Sequence, residues 1–199
     1  MSIIRTEELL RELTSITELN KQTIEEHVSK LSKEQLNWKK DNISWSIIET
    51  LAHLNEFASY YNEIISQKID KTRFREPRVT FVSSPLGRSA WISMKLGNAQ
   101  NVKRKLRSQK LYNPVFNREI ELENSTKKFI DHQIDLLNIL SKAGQVNLRK
   151  VRIPTSISKL IRLKLGDALM FVIYHNQRHV RQVLNVIADK NFPKIKSES

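Results

Sequence analysis

Long stretches of helical period alternate along this chain with short polar breaks. From Thr6 to about Leu31, apolar residues recur as Leu9, Leu10, Leu13, Ile16, Ile24, Val28 and Leu31. Spacings of three, four and seven place them on one side of a helix. Ser32–Ile43 breaks the pattern with polar residues around Trp38 and the turn-like Asp41-Asn42. A second helix opens at Ser46, whose hydroxyl is placed to cap it, and Glu49 three residues on completes a capping box. Its stripe is Ile47, Leu51, Leu54, Ala58, Tyr61 and Ile65. A third helix spans about Glu119–Lys142, with Leu122, Phe129, Ile130, Leu136, Leu137 and Leu140 on one side and Gly144 as its stop. The last begins near Gly166–Asp167, where the acid suits the positive end of the helix dipole, and ends before Phe192-Pro193. The expected helices are thus roughly 5–31, 45–67, 119–143 and 166–189.

Residues 70–118 carry no long period and hold Pro77, Pro85, Gly87, Gly97 and Pro114. Val79–Val82 reads as a short extended piece, Ser89–Leu96 as a short helix, and Lys150–Ser158 as an extended crossing. The aromatics Phe81, Trp91, Tyr112 and Phe116 suit a lid over one end. Four long amphipathic helices and one long connection predict an all-α four-helix bundle with a crossover between helices two and three. A single domain, 1–199, is expected, with a core over about 5–190 and a disordered tail at 191–199.

Composition narrows the class. Only 4 Gly and 5 Pro punctuate 199 residues, which favours long helices over many strands. With 39% hydrophobic and 28% charged residues the chain has the makings of a globular core. No run approaches the roughly 18–20 apolar residues that span a bilayer, and the opening MSIIRTEELLRELTSI carries acids where a signal peptide has none. No membrane role and a cytoplasmic location are expected. Without cysteine there is no disulfide, no thiolate metal ligand and no catalytic thiol in the chain.

Lys and Arg number 34 against 21 acids, for a net charge of +13. Lys95–Lys110 and Arg149–Lys164 concentrate this charge, with no acid within either run. Neither shows the aromatic interleaving or the motif of a nucleic-acid reader, so both are expected to be solvated surface. Their expected partner is a small, anionic molecule, with nucleic acid disfavoured and the choice between monomer and homodimer open.

The candidate chemistry lies in Phe171–Val183, FVIYHNQRHVRQV. His175 and His179 are four apart, so on a helix their Cβ atoms lie about 5–6 Å from each other on one side. Leu165, Ala168, Leu169, Val172, Val183 and Val186 share that side, with Asn176. This spacing suits two nitrogens meeting one metal ion, and equally a buried hydrogen-bonded pair. On helix two, His53 stands about 120° from the main stripe, beside Thr50, Phe57 and Tyr60. The helical wheel therefore leaves its role open. Glu49, one turn before His53, is a candidate base whose competing role is the capping box. Asn176 and Gln182 flank the histidine pair and are candidates to orient it. Tyr60 is a candidate donor to a substrate oxygen, while Arg178 points to a bundle or surface ion pair; His27 and His132 are left outside the site.

Two blocks on these helices, SWSIIETLAHL at Ser44–Leu54 and HNQRHVRQ at His175–Gln182, resemble the DinB/YfiT-like superfamily of bacterial four-helix-bundle metalloproteins. The first is similar to the family's Trp-Ser-x-x-Glu-x-x-x-His-Leu entry into helix two, the second to its His-x-x-Arg-His-x-x-Gln in helix four. The resemblance implies a divalent metal, nickel or zinc, held by His53, His175 and His179. It also implies relatives that use low-molecular-weight thiols as S-transferases, and others described only as metal-dependent hydrolases. The expected function is a metal-dependent enzyme of one of those two kinds. Its alternatives are a non-catalytic, metal-pinned bundle that binds a small ligand and a basic stress protein that binds nucleic acid.

Overall fold

The computed structural model describes residues 3–97, 112–114 and 122–194. The basic run at 103–110, Phe116 and the end of the tail at 195–199 lie outside the described residues. Among the described residues six helices follow one another: α1 (Thr6–His27), α2 (Lys33–Asn37), α3 (Ile47–Lys71), α4 (Pro85–Met94), α5 (Ser125–Ala143) and α6 (Leu165–Ile187). Four three-residue strands accompany them: β1 (Ile3–Arg5), β2 (Thr80–Val82), β3 (Arg152–Pro154) and β4 (Arg162–Lys164). They form two antiparallel pairs, β1 with β2 and β3 with β4.

The four long helices are the bundle that the pattern predicts. α1 and α3 each pack on both α5 and α6, so α1 and α3 stand at opposite corners. α4 docks along α6. The helix boundaries differ from expectation where local chemistry overrides period. α1 stops at His27, with Val28 as its cap, and the chain turns before α2. That short helix has its own capping box, Ser32 with Gln35, inside the stretch expected to be only a break. Its Gln35 donates to the Pro193 carbonyl, and Trp38 meets Phe192 edge to face at 5.6 Å, so residues 191–194 are held rather than loose. α4 begins at Pro85, earlier than expected, because Ser84 caps it and Pro85 supplies a fixed φ at the first position. α5 begins at Ser125, after Asn124 takes the left-handed conformation at φ 58°. Leu122, expected on its stripe, precedes the helix.

The cap expected at Ser46 is present. The Ser46 hydroxyl accepts from the Glu49 amide at 3.2 Å, and the Ser46 amide donates to Glu49 Oε2 at 2.9 Å. Ser46→Ala is therefore expected to cost about 1 kcal/mol, read as a lowered urea midpoint with an unchanged slope. An unchanged midpoint would mean that tertiary packing alone fixes the start of α3.

The core comprises two apolar clusters. The larger gathers Leu9, Leu13, Tyr61, Ile65, Leu136 and Ile173; the smaller gathers Ile24, Ile47, Leu51, Phe129, Val180 and Val183. Between them every long helix presents buried polar groups: Thr17 and Asn20 on α1, His53 and Asn55 on α3, Gln133 on α5, His175 and Asn176 on α6. Burial of so many polar side chains at one level costs stability unless they find partners. Such a layer marks the place where the bundle does something besides fold.

Candidate metal centre

His53 lies in the second turn of α3, and His175 and His179 lie on successive turns of α6. The packing of α3 on α6 turns all three rings into the polar layer. His53 and His175 are buried, while His179 keeps an edge toward solvent. One ligand atom from each lies within 4.8 Å of the other two. The ring centroids are 4.6–5.2 Å apart.

The ring orientations decide what this triad can hold. His53 Nδ1 lies 2.5 Å from the Tyr112 carbonyl, to which it donates as Nδ1–H, leaving Nε2 as a lone-pair donor. His179 Nδ1 stands 3.0 Å from Gln182 Oε1, one turn on, which likewise frees its Nε2. His53 Nε2 and His175 Nε2 are 3.3 Å apart. Two nitrogens each about 2.0–2.1 Å from a tetrahedral ion lie about 3.3–3.4 Å from one another, so this separation suits two ligands of one metal as well as a hydrogen bond between the rings. Among the described residues His175 Nδ1 is buried without a hydrogen-bond partner. Its ring is positioned by packing instead, against Phe57 at 4.4 Å and stacked with Phe171 at 6.3 Å. Trp45 closes another side, 4.9 Å from His53 and stacked 6.0 Å from His179. The donor set therefore could hold a metal ion that takes neutral imidazoles.

Electrostatics agrees. Burial pushes His53 down to about 4, and the bond to the Tyr112 carbonyl opposes this only in part. Burial also drives His175 and His179 well below the ordinary histidine range, reinforced by the neighbouring rings and by Arg178. All three are neutral at pH 7 and ready to donate lone pairs. The unfolded rings titrate near ~6.5. Between that value and the folded ones, the unfolded chain binds more protons, so stability rises with pH there. The metal-free protein is expected to lose roughly 1 kcal/mol per ring for each pH unit from about 6.5 toward 5. Urea midpoints of chelator-treated protein at pH 7, 6 and 5 check this; a flat or rising series toward acid would contradict the burial of neutral rings.

The other candidates take definite places. Glu49 has both oxygens engaged, Oε2 in the capping box and Oε1 with Lys39 Nζ at 2.6 Å. Gln182 places its Oε1 against His179 Nδ1. Asn176 turns to Gln133 of α5 at 3.5 Å. The Tyr60 hydroxyl donates to the Thr155 carbonyl at 3.2 Å. Arg178 is buried, because this face of α6 is covered too. His27 ends α1, exposed, and His132 lies 3.4 Å from Ser59; both stand apart from the triad. The Tyr112 carbonyl escaped the sequence reading, since a backbone oxygen carries no residue signal. Trp45 and Phe57 had one: each lies in or beside the Ser44–Leu54 block.

No helix among the described residues is long and apolar enough to cross a membrane. No curated protein and no solved structure gives a significant match to the sequence. The sequence model of the DinB superfamily matches residues 16–183, from within α1 to the last turns of α6, spanning all three histidines. With a bundle of that layout and a buried three-histidine cluster between its second and fourth long helices, this chain belongs to the DinB superfamily.

Proposed function

We propose that the chain is a metal-dependent enzyme of the thiol S-transferase kind, with hydrolysis as the second reading of the same centre. The observation that carries the proposal is the triad itself: three neutral imidazoles and, among the described residues, no carboxylate in the group. Three protein ligands leave a tetrahedral ion with an exchangeable position, as catalytic sites do, whereas a fourth side chain would close it. When bound, the ion favours the deprotonated form of a thiol or water that it meets.

The chain's own residues then set the conditions. His53, His175 and His179 would hold the ion through nitrogens fixed by the Tyr112 carbonyl, Gln182 and the Phe57 and Phe171 rings. His179, the least buried of the three rings, marks the approach. Trp45, Phe57 and Phe171 form an apolar wall that suits sulfur and an apolar electrophile. Glu49 is tied up by its cap and by Lys39, so neither a thiol nor a water is expected to hand its proton to that carboxylate. In the transfer, the thiol sulfur bonds to the electrophilic carbon, the bond to the leaving group breaks, and the thiol proton goes to solvent. The thiol comes from outside, the chain having no cysteine.

The test is conjugation of 1-chloro-2,4-dinitrobenzene with cysteine, coenzyme A or glutathione by zinc- or nickel-loaded protein, beside hydrolysis of p-nitrophenyl acetate without thiol. Thiol-dependent turnover that vanishes in His179→Ala is expected. Metal-dependent ester hydrolysis with no thiol reaction would replace the transferase reading by the hydrolase one. Absence of both in fully loaded protein would favour the non-catalytic bundle.

A further inference from the structure

A groove of about 440 Å³ runs between α3 and the β3–β4 hairpin, apart from the three histidines. Its construction follows from two periodicities. On α3, Tyr60, Ile64 and Lys68 are spaced by four, so they line one side of the helix and all face the groove. On the hairpin, residues alternate: Ile153 and Leu163 pair and are buried, while Arg152 and Arg162 point outward into the groove. Lys159, from the loop joining the two strands, reaches the same space.

The walls are tied together. The Tyr60 hydroxyl donates to the Thr155 carbonyl at 3.2 Å, and the Ser156 amide donates to the Tyr61 hydroxyl at 3.1 Å. The hairpin is thus pinned to α3. Four cations, Lys68, Arg152, Lys159 and Arg162, line the groove against one acid, Glu63. Glu63 accepts a hydrogen bond from Gln67 at 2.9 Å. Among the described residues no ion pair engages any of the four cations. Tyr60, Ile64 and Pro154 supply an apolar floor. Charge around an apolar floor, in a cavity within the ~300–1,000 Å³ of small-molecule sites, selects an anion with an organic body.

We propose that this groove binds a phosphorylated small molecule with a flat apolar body. Arg152 and Arg162 hold the phosphate through their planar forks, with Lys68 and Lys159 as further charges. The body lies on Tyr60, Ile64 and Pro154. The site stands on different residues from the metal centre and does not depend on it.

The test is titration of the full chain with phenyl phosphate and with inorganic phosphate, read by calorimetry, with and without EDTA. Phenyl phosphate is expected to bind in both conditions, and at least about tenfold more tightly than inorganic phosphate, since only the ester fills the apolar floor. Arg152→Glu/Arg162→Glu should weaken it at least about tenfold at unchanged helical content and metal content. The control is Arg11→Glu/Lys30→Glu, which makes the same change of net charge on and just beyond α1, at the opposite corner, and should leave the affinity unchanged. Equal weakening in the control would reduce the effect to overall charge and overturn the proposal. Binding that disappears with EDTA would place the anion at the histidines and overturn it. Ile157 and Leu160 are exposed beside the groove, so phosphatidylserine vesicles are a further arm. Vesicle binding without phenyl phosphate binding would assign the cations to a lipid surface and overturn it too.

Discussion

His179→Ala is expected to lose the metal and keep the fold. Among the described residues the three rings form the one group that could hold the ion, and two imidazoles do not fix a tetrahedral ion. Affinity should fall by more than the ~10–100-fold that loss of an orienting partner brings, the effect expected of Gln182→Ala. His53→Ala and His175→Ala should behave like His179→Ala. His27→Ala, at the exposed end of α1, should keep full occupancy. The fold survives because two apolar clusters on either side of the polar layer hold the bundle together without the ion. The measurements are metal stoichiometry after dialysis and far-ultraviolet circular dichroism. Full occupancy in any of the three variants, or equal loss in His27→Ala, would remove that histidine from the centre. Loss of helical content with the metal would show that the ion is part of the fold.

Gly87→Ala is expected to be the most damaging small substitution. Gly87 lies in the first turn of α4, against Asp167 in the first turn of α6. A Cβ there would come 2.5 Å from Asp167 Cβ and closer still to its carboxylate. Asp167 is fully buried, and its Oδ2 accepts from the Ser84 amide at 3.0 Å and the Ser84 hydroxyl at 2.9 Å. The methyl group can enter only if Asp167 leaves that cap and α4 lifts from α6. Overpacking of this kind costs about 3 kcal/mol or more, against about 1 kcal/mol gained in helix propensity. Gly144→Ala is the control, because its Cβ would sit at ordinary distances of 3.4 and 3.7 Å from its nearest neighbours. Urea unfolding of both variants decides the matter: a Gly87→Ala midpoint equal to that of wild type would mean that α4 is not docked as described.

The long helices and the Ser46 cap were legible because period and capping are local. The pair His175 and His179 was legible for the same reason. His53 was not, from the wheel alone. That reading assumes one buried side, whereas α3 packs on both α5 and α6 and buries Thr50, His53 and Phe57 as well as Ile47, Leu51 and Leu54. Only the resemblance of Ser44–Leu54 to a family block brought His53 into the site. Asp167 was read as a dipole partner; its main work, receiving Ser84 from eighty-three residues away, depends on tertiary contact that no local pattern carries. The strands Ile3–Arg5 and Arg162–Lys164 are too short to show a period of two. The Ser32 cap and the Ser84-Pro85 start are present in the sequence but stand alone, because their helices are short and lie within stretches without apolar period.

The most direct measurement of the central claim is elemental analysis of untagged protein together with X-ray absorption at the edge of the metal found. The account predicts one divalent ion per chain with three imidazole nitrogens at about 2.0–2.1 Å and its remaining position taken by a light atom from solvent. Protein that binds no ion from zinc or nickel solutions at neutral pH, or a sphere containing fewer than three imidazoles, would contradict it.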